Sequence, residues 1–170
     1  MRRLMLLEVA RWGFKGYCGV LWEKRGDTEC PSGENVLTGE HRRSLDDKGR
    51  LSLPPPFRLA LVDGAYVGIY KNCLGIWTAT EANKALDRFE TAVRSGEASS
   101  DDQRWFAANL DFATVDAQGR LALPASKREK LGIGKQVALI GVFNRAEVWD
   151  AEQWQLLQDS MGNAEMDRWL

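Results

Sequence analysis

The sequence predicts an α+β fold made of two tandem β-rich repeats joined by helices. The chain carries one short stretch twice, as LDDKGRLSLP at residues 45–54 and as VDAQGRLALP at residues 115–124, so that both copies keep the pattern D-x-x-G-R-L-x-L-P. The alignment of the two copies continues without a gap as far as Val67 and Val137. Helix-capping patterns lie between the copies and after the second one. Internal similarity of this kind is the signature of a repeated supersecondary unit.

Each copy of the stretch has the residues of a tight turn followed by a short strand. Asp46 and Asp116 open the turns, because an Asp carboxylate can bond the backbone two residues further on. Gly49 and Gly119 suit the turns because glycine takes a positive φ at little cost. The two leucines that follow alternate with other residues, so they share one strand face toward a core, and a proline then ends the strand. We therefore expect these four residues to structure two exposed turns, each with an arginine at its end.

Further strands are predicted on both sides of each turn. Residues 36–45 have the pattern of a strand that leads into the first turn, and a short helix over residues 57–61 follows the turn. Three more short apolar segments bounded by turn residues predict strands, at residues 66–70, 73–77 and 136–140. The last of these is apolar enough to be a buried strand.

Four helix starts are predicted from capping patterns. A Ser, Thr or Asp followed three residues later by Glu or Gln can satisfy the free N–H groups at the start of a helix. This pattern occurs at residues 78–81, 100–103, 126–129 and 150–153. The helix that follows residues 78–81 has its apolar residues on one face. The first and last patterns come directly after Trp77 and Trp149, at matching places in the two copies, and this agreement supports the repeat independently.

Residues 1–35 differ from the rest of the chain. Glycines, tryptophans and cysteines are scattered through them without a sustained period, and Glu8 and Arg11 interrupt the apolar run near the beginning. This interruption argues against a secretion signal. We expect either a poorly ordered extension or sequence translated upstream of the true start.

Composition and motifs exclude several classes of function. Apolar residues make up 44% of the chain and charged residues 28%, which is ordinary for a soluble globular protein. A net charge of −1 does not favour non-specific coating of nucleic acid. The three cysteines form no C-x-x-C pair and are typical of reduced cytosolic thiols. No apolar run is long enough to span a membrane, and no glycine-rich nucleotide-binding motif occurs. His41 is the single histidine, so the sequence predicts no metal site.

Basic residues gather around the first turn. Four cations lie within nine residues, namely Arg42, Arg43, Lys48 and Arg50. The second turn carries Arg120, and Gln118 takes the place of the first turn's lysine. A basic hairpin can bind phosphates, and arginine can also bond guanine through two hydrogen bonds. From the residues alone, an Asp–Arg pair that only steadies each turn is an equally good interpretation.

The chain resembles the MraZ family of bacterial transcriptional regulators, which has two SpoVT-AbrB-like repeats marked by D-x-x-x-R. The residues that carry the likeness are the two turn stretches, with Asp46, Arg50, Asp116 and Arg120, and the segment LIGVFNRAEVWD at residues 139–150. The resemblance implies a swapped-hairpin, AbrB-like β-barrel with connector and C-terminal helices. It also favours DNA binding over the purely structural interpretation of the basic residues at the turns. Residues before Val36 have no counterpart in the family.

The resemblance also implies a partner and a place of action. It implies a ring-shaped homo-oligomer that binds closely spaced direct repeats of double-stranded DNA and represses its own operon in the division and cell-wall gene cluster, in the cytoplasm at the nucleoid. Several weak basic hairpins on one face of a ring would add through effective concentration, which reconciles DNA binding with the net charge of −1. No cofactor, membrane partner or small-molecule substrate is implied. The expected division of the chain is an extension (1–35), repeat 1 (39–81), a helical connector (82–109), repeat 2 (110–153) and a C-terminal helix and tail (154–170).

Two other functions remain open at this point. An AbrB-type, antitoxin-like DNA-binding protein would also hold a protein partner, and a free hydrophobic or acidic tail after the second repeat would favour it. An enzyme on a related barrel would need convergent acid, base or nucleophilic side chains. No His, Ser or Cys recurs beside Asp46 and Asp116, so no catalytic residue is predicted.

Overall fold

The structure is a computed structural model that describes residues 36–161, so the expectation for residues 1–35 lies outside the described residues. The first half of this part contains β1 (Leu37–Ser44), β2 (Arg50–Ser52), α1 (Pro55–Ala60), β3 (Ala65–Tyr70), β4 (Cys73–Thr78) and α2 (Ala79–Ser95). The second half contains α3 (Ser100–Asn109), β5 (Leu110–Ala113), β6 (Arg120–Ala122), α4 (Ala125–Lys130), β7 (Gln136–Phe143), β8 (Arg145–Asp150) and α5 (Ala151–Met161).

The strands of the two halves interleave in two antiparallel sheets. Within residues 36–161 the larger sheet has the order β1-β7-β8-β4-β3-β5, and the smaller sheet pairs β2 with β6. Thus β1 pairs with β7 of the other half, β5 pairs with β3, and β4 pairs with β8. Each strand has a counterpart in the other half: β1 and β5, β2 and β6, β3 and β7, β4 and β8. When every strand is replaced by its counterpart, the same strand order results, read from the opposite edge of the sheet. The described part therefore has an internal pseudo-two-fold symmetry, whose axis passes between β4 and β8 and between β2 and β6.

The α+β class is confirmed, but the larger sheet is not closed into a barrel. In the part of the chain that the structure describes, β1 and β5 are edge strands of that sheet and are not hydrogen-bonded to each other. The two edges are also unequal, since β1 has eight residues and β5 has four. Strand β5 is short because α3 extends to Asn109 and occupies residues whose counterparts in the first half belong to β1.

The core lies between the small sheet and the large one. Leu51 and Leu121 are cross-strand partners on β2 and β6, and both are fully buried. Leu53 and Leu123 are buried beside them, so the prediction that the leucines of each copy face a core is confirmed. Matching positions of the large sheet complete the core with Val67, Ile76, Val137 and Val148. Burial of a side chain of this size stabilises the fold by about 1.5–3 kcal/mol.

Two of the predicted helix caps are confirmed. The Thr78 hydroxyl accepts a hydrogen bond of 3.2 Å from the backbone N–H of Glu81 at the start of α2. The Asp150 carboxylate accepts one of 3.0 Å from the N–H of Glu152 at the start of α5. Both caps satisfy N–H groups that have no partner inside the helix. Among the helices described between residues 36 and 161, none is both long and apolar enough to cross a membrane.

The other two predicted caps are wrong in detail. Helix α3 is capped by Ser99, one residue before the predicted position, and Ser99 and Asp102 form a reciprocal capping box. Helix α4 has no side-chain cap, because Pro124 occupies the cap position and its ring cannot accept a hydrogen bond. The carbonyl of Pro124 instead accepts the N–H of Arg128 at 3.1 Å, the first bond of the helix.

Candidate nucleic-acid interface

The first turn is organised by the carboxylate of Asp46. One of its oxygens, Oδ1, accepts hydrogen bonds from the backbone N–H groups of Lys48 at 3.0 Å and Arg50 at 2.9 Å. The Asp46 carbonyl accepts the N–H of Gly49 at 2.8 Å, and Gly49 has a φ of 71°. The positive φ is costly for any residue with a Cβ. The turn is therefore held by bonds within five consecutive residues, which a short sequence motif can encode.

The second turn repeats this geometry. Oδ1 of Asp116 accepts the N–H groups of Gln118 at 3.0 Å and Arg120 at 2.9 Å. The Asp116 carbonyl accepts the N–H of Gly119 at 2.8 Å, and Gly119 has a φ of 75°. The side chains at the tips differ, but the backbone framework of the two turns is the same.

The two turns meet at the pseudo-two-fold axis and share their charges. Within each turn the arginine Nε donates to the other aspartate oxygen, Oδ2, at 2.7 Å for Arg50 and Asp46 and at 2.9 Å for Arg120 and Asp116. Across the axis, Arg50 Nη1 lies 3.6 Å from Asp116 Oδ2, and Arg120 Nη1 lies 3.6 Å from Asp46 Oδ2. These four residues form a closed ring of ion pairs, which we call the Asp–Arg tetrad.

The hydrogen bonds within the tetrad lower the pKa of both carboxylates. The pKa of Asp46 is lowered chiefly by the hydrogen bond from the Arg50 backbone N–H, with further lowering by the Arg50 side chain, while burial opposes the shift. The pKa of Asp116 is lowered chiefly by the hydrogen bond from the Arg120 side chain. Hydrogen bonds to a charged form always favour that form. At neutral pH the tetrad therefore carries two positive and two negative charges in fixed places.

The arginines of the tetrad still have N–H groups to offer. About a quarter of each side chain is exposed, 27% for Arg50 and 26% for Arg120. Each arginine donates one hydrogen bond from Nε to its own aspartate, and Nη2 of Arg120 also lies 2.8 Å from Asp116 Oδ2. A guanidinium has five N–H donors. Both arginines therefore keep N–H donors for an external acceptor.

Arg42 is hydrogen-bonded to the C-terminal helix. Its Nε donates to Glu40 at 2.7 Å, and its Nη groups donate to the Ala151 carbonyl at 3.2 Å and to the side chains of Gln155 at 3.0 Å and Gln158 at 3.1 Å. Four of its five N–H donors are therefore used inside the protein. Its place in the structure is that of a clamp between β1 and α5.

Arg43 and Lys48, the other two residues of the basic cluster, are exposed. Nη1 of Arg43 donates to the carbonyl of its neighbour Arg42 at 3.0 Å and has no acidic partner among residues 36–161. The Lys48 side chain is at the tip of the first turn and makes no hydrogen bond or ion pair with the described residues. Both side chains can reach an external anion without first breaking an ion pair.

Arg58 and Arg128 belong to the site, although neither was predicted from the sequence. Nε of Arg58 donates to the Leu53 carbonyl at 2.6 Å, and Nε of Arg128 donates to the Leu123 carbonyl at 3.3 Å. Each guanidinium lies against the glycine of the other half's turn, Arg58 against Gly119 and Arg128 against Gly49. A signal was available in the sequence, because the two arginines occupy equivalent positions of the repeat.

Lys135 is a further cation that the second half brings to the first turn. Its carbonyl accepts the N–H of Leu45 at 2.8 Å, and its Nζ lies 3.3 Å from Asp47 Oδ1. The residue is distant from the turn in sequence, so its proximity follows only from the pairing of β1 with β7.

The single histidine has a structural position. The ring of His41 packs edge-on against Phe57 with centroids 5.4 Å apart, and burial, together with the nearby charge of Arg43, lowers the pKa of His41. Among residues 36–161, no group of three or more His, Cys, Asp or Glu side chains is arranged to hold a metal ion. The arginine and lysine side chains of the turns are N–H donors, which can bind anions and other hydrogen-bond acceptors.

Comparison with known proteins identifies the family of the chain. A family model described as "MraZ protein, putative antitoxin-like" matches residues 36–104 and 106–168. The chain belongs to the MraZ family. Each of the two matched regions of this MraZ chain contains one of the turns, the first with Asp46 and Arg50 and the second with Asp116 and Arg120.

Individual MraZ relatives agree with this assignment. The "Transcriptional regulator MraZ" of Saccharopolyspora erythraea is 37% identical over 125 residues, which cover 73% of this chain and 87% of the relative. The protein of the same name from Kocuria rhizophila is 36% identical over 121 residues, covering 71% and 85% of the two chains. That of Kineococcus radiotolerans is 34% identical over 134 residues, covering 78% and 94%.

Proposed function

We propose that this MraZ-family protein is a sequence-specific DNA-binding transcriptional regulator that represses its own operon in the division and cell-wall gene cluster. The observation that carries the proposal is the meeting of the two turns, which brings Arg50 and Arg120 together on one partly exposed surface. The names of the relatives, all transcriptional regulators, support the same interpretation. A transcriptional regulator is not a class of enzyme.

The proposed contacts divide into two kinds. Lys48 and Arg43 are exposed point charges suited to phosphates, which position a protein on the duplex. Arg50 and Arg120 are held by the tetrad in defined orientations, as base recognition requires, and arginine pairs well with guanine in the major groove. Arg42 has so few donors left that its contribution is to hold α5 against β1.

The proposal includes an architecture and an assembly. We propose that repeats 39–81 and 110–153 form one swapped-hairpin unit of the AbrB type, joined by the connector 82–109 and followed by the helix and tail 154–170. The interleaved pairing of β1 with β7 and of β2 with β6 supports this. We further propose that several copies form a ring in the cytoplasm at the nucleoid and bind short direct repeats. Each copy then contributes a weak contact, and the contacts add through effective concentration.

Footprinting and mobility shifts on the DNA upstream of its own coding sequence test the DNA-binding proposal. Arg50→Ala should weaken specific binding most, on the order of 1–3 kcal/mol per turn if this arginine reads a base. Arg120→Ala should cost less affinity, because fewer cations surround the second turn, where Gln118 stands at the position of Lys48. Thermal melts of both variants distinguish weaker DNA binding from unfolding. A wild-type protein that protects no site on this DNA would refute the proposed function, and normal binding by a well-folded Arg50→Ala would refute the assignment to this turn.

Light scattering coupled to gel filtration tests the proposed assembly. A large homo-oligomer is expected, because one chain offers too few cations for tight binding at cellular salt concentrations. If the protein is a monomer under these conditions and still binds the upstream DNA tightly, the proposed ring is contradicted.

A further inference from the structure

We propose that the phosphate site at the first turn is built from both halves of the chain, with Arg128 and Lys135 beside Lys48, and that Asp47 holds Lys135 in place of a DNA phosphate when no DNA is bound. This inference rests on the proposed function, since its ligand is the phosphate backbone of double-stranded DNA. It makes the two turns unequal and adds three residues to the interface.

Arg128 is placed over the first turn by its own half's backbone. Its Nε is anchored by the Leu123 carbonyl at 3.3 Å, and the N–H of Leu123 in turn donates to the Gly49 carbonyl at 3.1 Å. The guanidinium covers Gly49 so closely that a Cβ added there would lie 2.5 Å from Arg128 Nη2. Neither Nη group has a hydrogen-bond partner in residues 36–161. An anchored guanidinium with free terminal donors is well suited to bind a phosphate.

Lys135 is held at the first turn by an ion pair with Asp47, and an external anion can take the place of the Asp47 carboxylate. The side chains of Lys135 and Asp47 are 66% and 96% exposed, and their charged atoms are 3.3 Å apart. Ion pairs this exposed contribute little in water. A DNA phosphate carries the same charge as the carboxylate and offers more oxygens, so it can take over Lys135 while Asp47 turns to solvent.

The second turn lacks this arrangement. Ala117 stands where the first turn has Asp47, Gln118 stands where it has Lys48, and Ala65, which is buried, stands where the first turn has Lys135. Only Arg58, the counterpart of Arg128, is preserved. The pseudo-two-fold symmetry of the backbone therefore carries an asymmetric distribution of charge, and the first turn is the stronger binding site for phosphate.

Lys135 and Asp47 are tested together, by measuring the affinity for upstream duplex DNA at several salt concentrations between about 50 and 200 mM. Lys135→Gln should weaken binding and reduce the slope of log K against log salt by about 0.9 for each phosphate that the protein no longer neutralises. Asp47→Asn should strengthen binding, and this gain should vanish in the Lys135→Gln background if Asp47 acts through the lysine. Lys84→Gln and Asp87→Asn, which make the same charge changes on α2, are the matched controls and should leave the slope unchanged.

Arg128 is tested against Arg58, its counterpart in the first half. Arg128→Gln and Arg58→Gln each remove a hydrogen bond from Nε to a leucine carbonyl and the contact of a guanidinium with a turn glycine. The melting temperatures of the two variants should therefore fall by similar amounts. Arg128→Gln should weaken DNA binding more than Arg58→Gln does. Equal losses, or no effect of Lys135→Gln and Asp47→Asn in a protein that still depends on Arg50, overturn this inference and leave the proposed function standing. A wild-type protein that binds no upstream DNA overturns both.

Discussion

His41 packs edge-on against Phe57, and the equivalent positions of the second half hold Asp111 and Lys127, which form an ion pair. Phe57 and Lys127 are both buried and occupy the same place on α1 and α4. The repeated backbone thus accepts two different chemistries at one point of contact between a helix and an edge strand. The consequences for stability differ, because an aromatic ring contributes buried area and a lysine must also be desolvated.

The first prediction compares the two halves at this position. Phe57→Ala should lower the free energy of unfolding by about 3–5 kcal/mol, since it leaves a cavity in the core. Lys127→Met keeps the apolar stem and leaves behind Asp111, whose side chain is 48% exposed and can be hydrated, so a change within about 1.5 kcal/mol is expected. Denaturant unfolding measures both. A larger loss for Lys127→Met than for Phe57→Ala would mean that the ion pair, rather than the ring, dominates this contact.

The second prediction concerns Gly49, which lies against the Arg128 guanidinium. Gly49→Ala should destabilise the protein by more than the roughly 1–2 kcal/mol that a Cβ costs in the left-handed region, because the new atom also displaces the guanidinium. Gly96→Ala is the control, since Gly96 has a φ of 81° but no heavy atom within 4 Å of an added Cβ. Chemical denaturation of the two variants checks the difference. Equal losses would show that strain in the backbone alone explains both.

The third prediction separates two adjacent arginines. Arg42→Ala should lower stability by about 1 kcal/mol through loss of its bonds to α5, with little change in the salt dependence of DNA binding. Arg43→Ala should leave the melting temperature nearly unchanged and weaken DNA binding, because its charge is exposed and has no acidic partner in residues 36–161. Melting curves and mobility shifts on the same preparations test this. The reverse pattern would place Arg42 at the DNA instead.

The fourth prediction follows from the lowered pKa values of Asp46 and Asp116. A carboxylate whose pKa is lower in the folded state than in the unfolded state stabilises the fold above its ordinary pKa, and this contribution is lost as the pH falls through the folded value. The melting temperature of the wild type should therefore fall steeply below about pH 4. Asp116→Asn should melt lower at neutral pH and show a shallower fall in acid. Asp47→Asn is the control, and a wild-type slope is expected for it because its side chain is 96% exposed.

Features whose chemistry is local could be predicted from the residues alone. The two turns are of this kind because each depends on bonds among five consecutive residues, from Asp46 to Arg50 and from Asp116 to Arg120. The inward faces of the leucines could be predicted because side chains alternate along a strand. The shifted cap at Ser99 and the missing cap of α4 show the limit of such reasoning, since neighbouring residues compete for one cap position.

Contacts between distant groups depend on the packing of the two halves. The pairing of β2 with β6 brings Arg50 to within 3.6 Å of Asp116, and the position of α4 puts Arg128 on Gly49. The contact of α5 with β1 gives Arg42 hydrogen-bond partners on α5 that its position in the sequence does not predict. These contacts join residues far apart in the chain and depend on the register of interleaved strands. No local pattern of residues encodes that register, because it is chosen by the burial of both halves in one shared core.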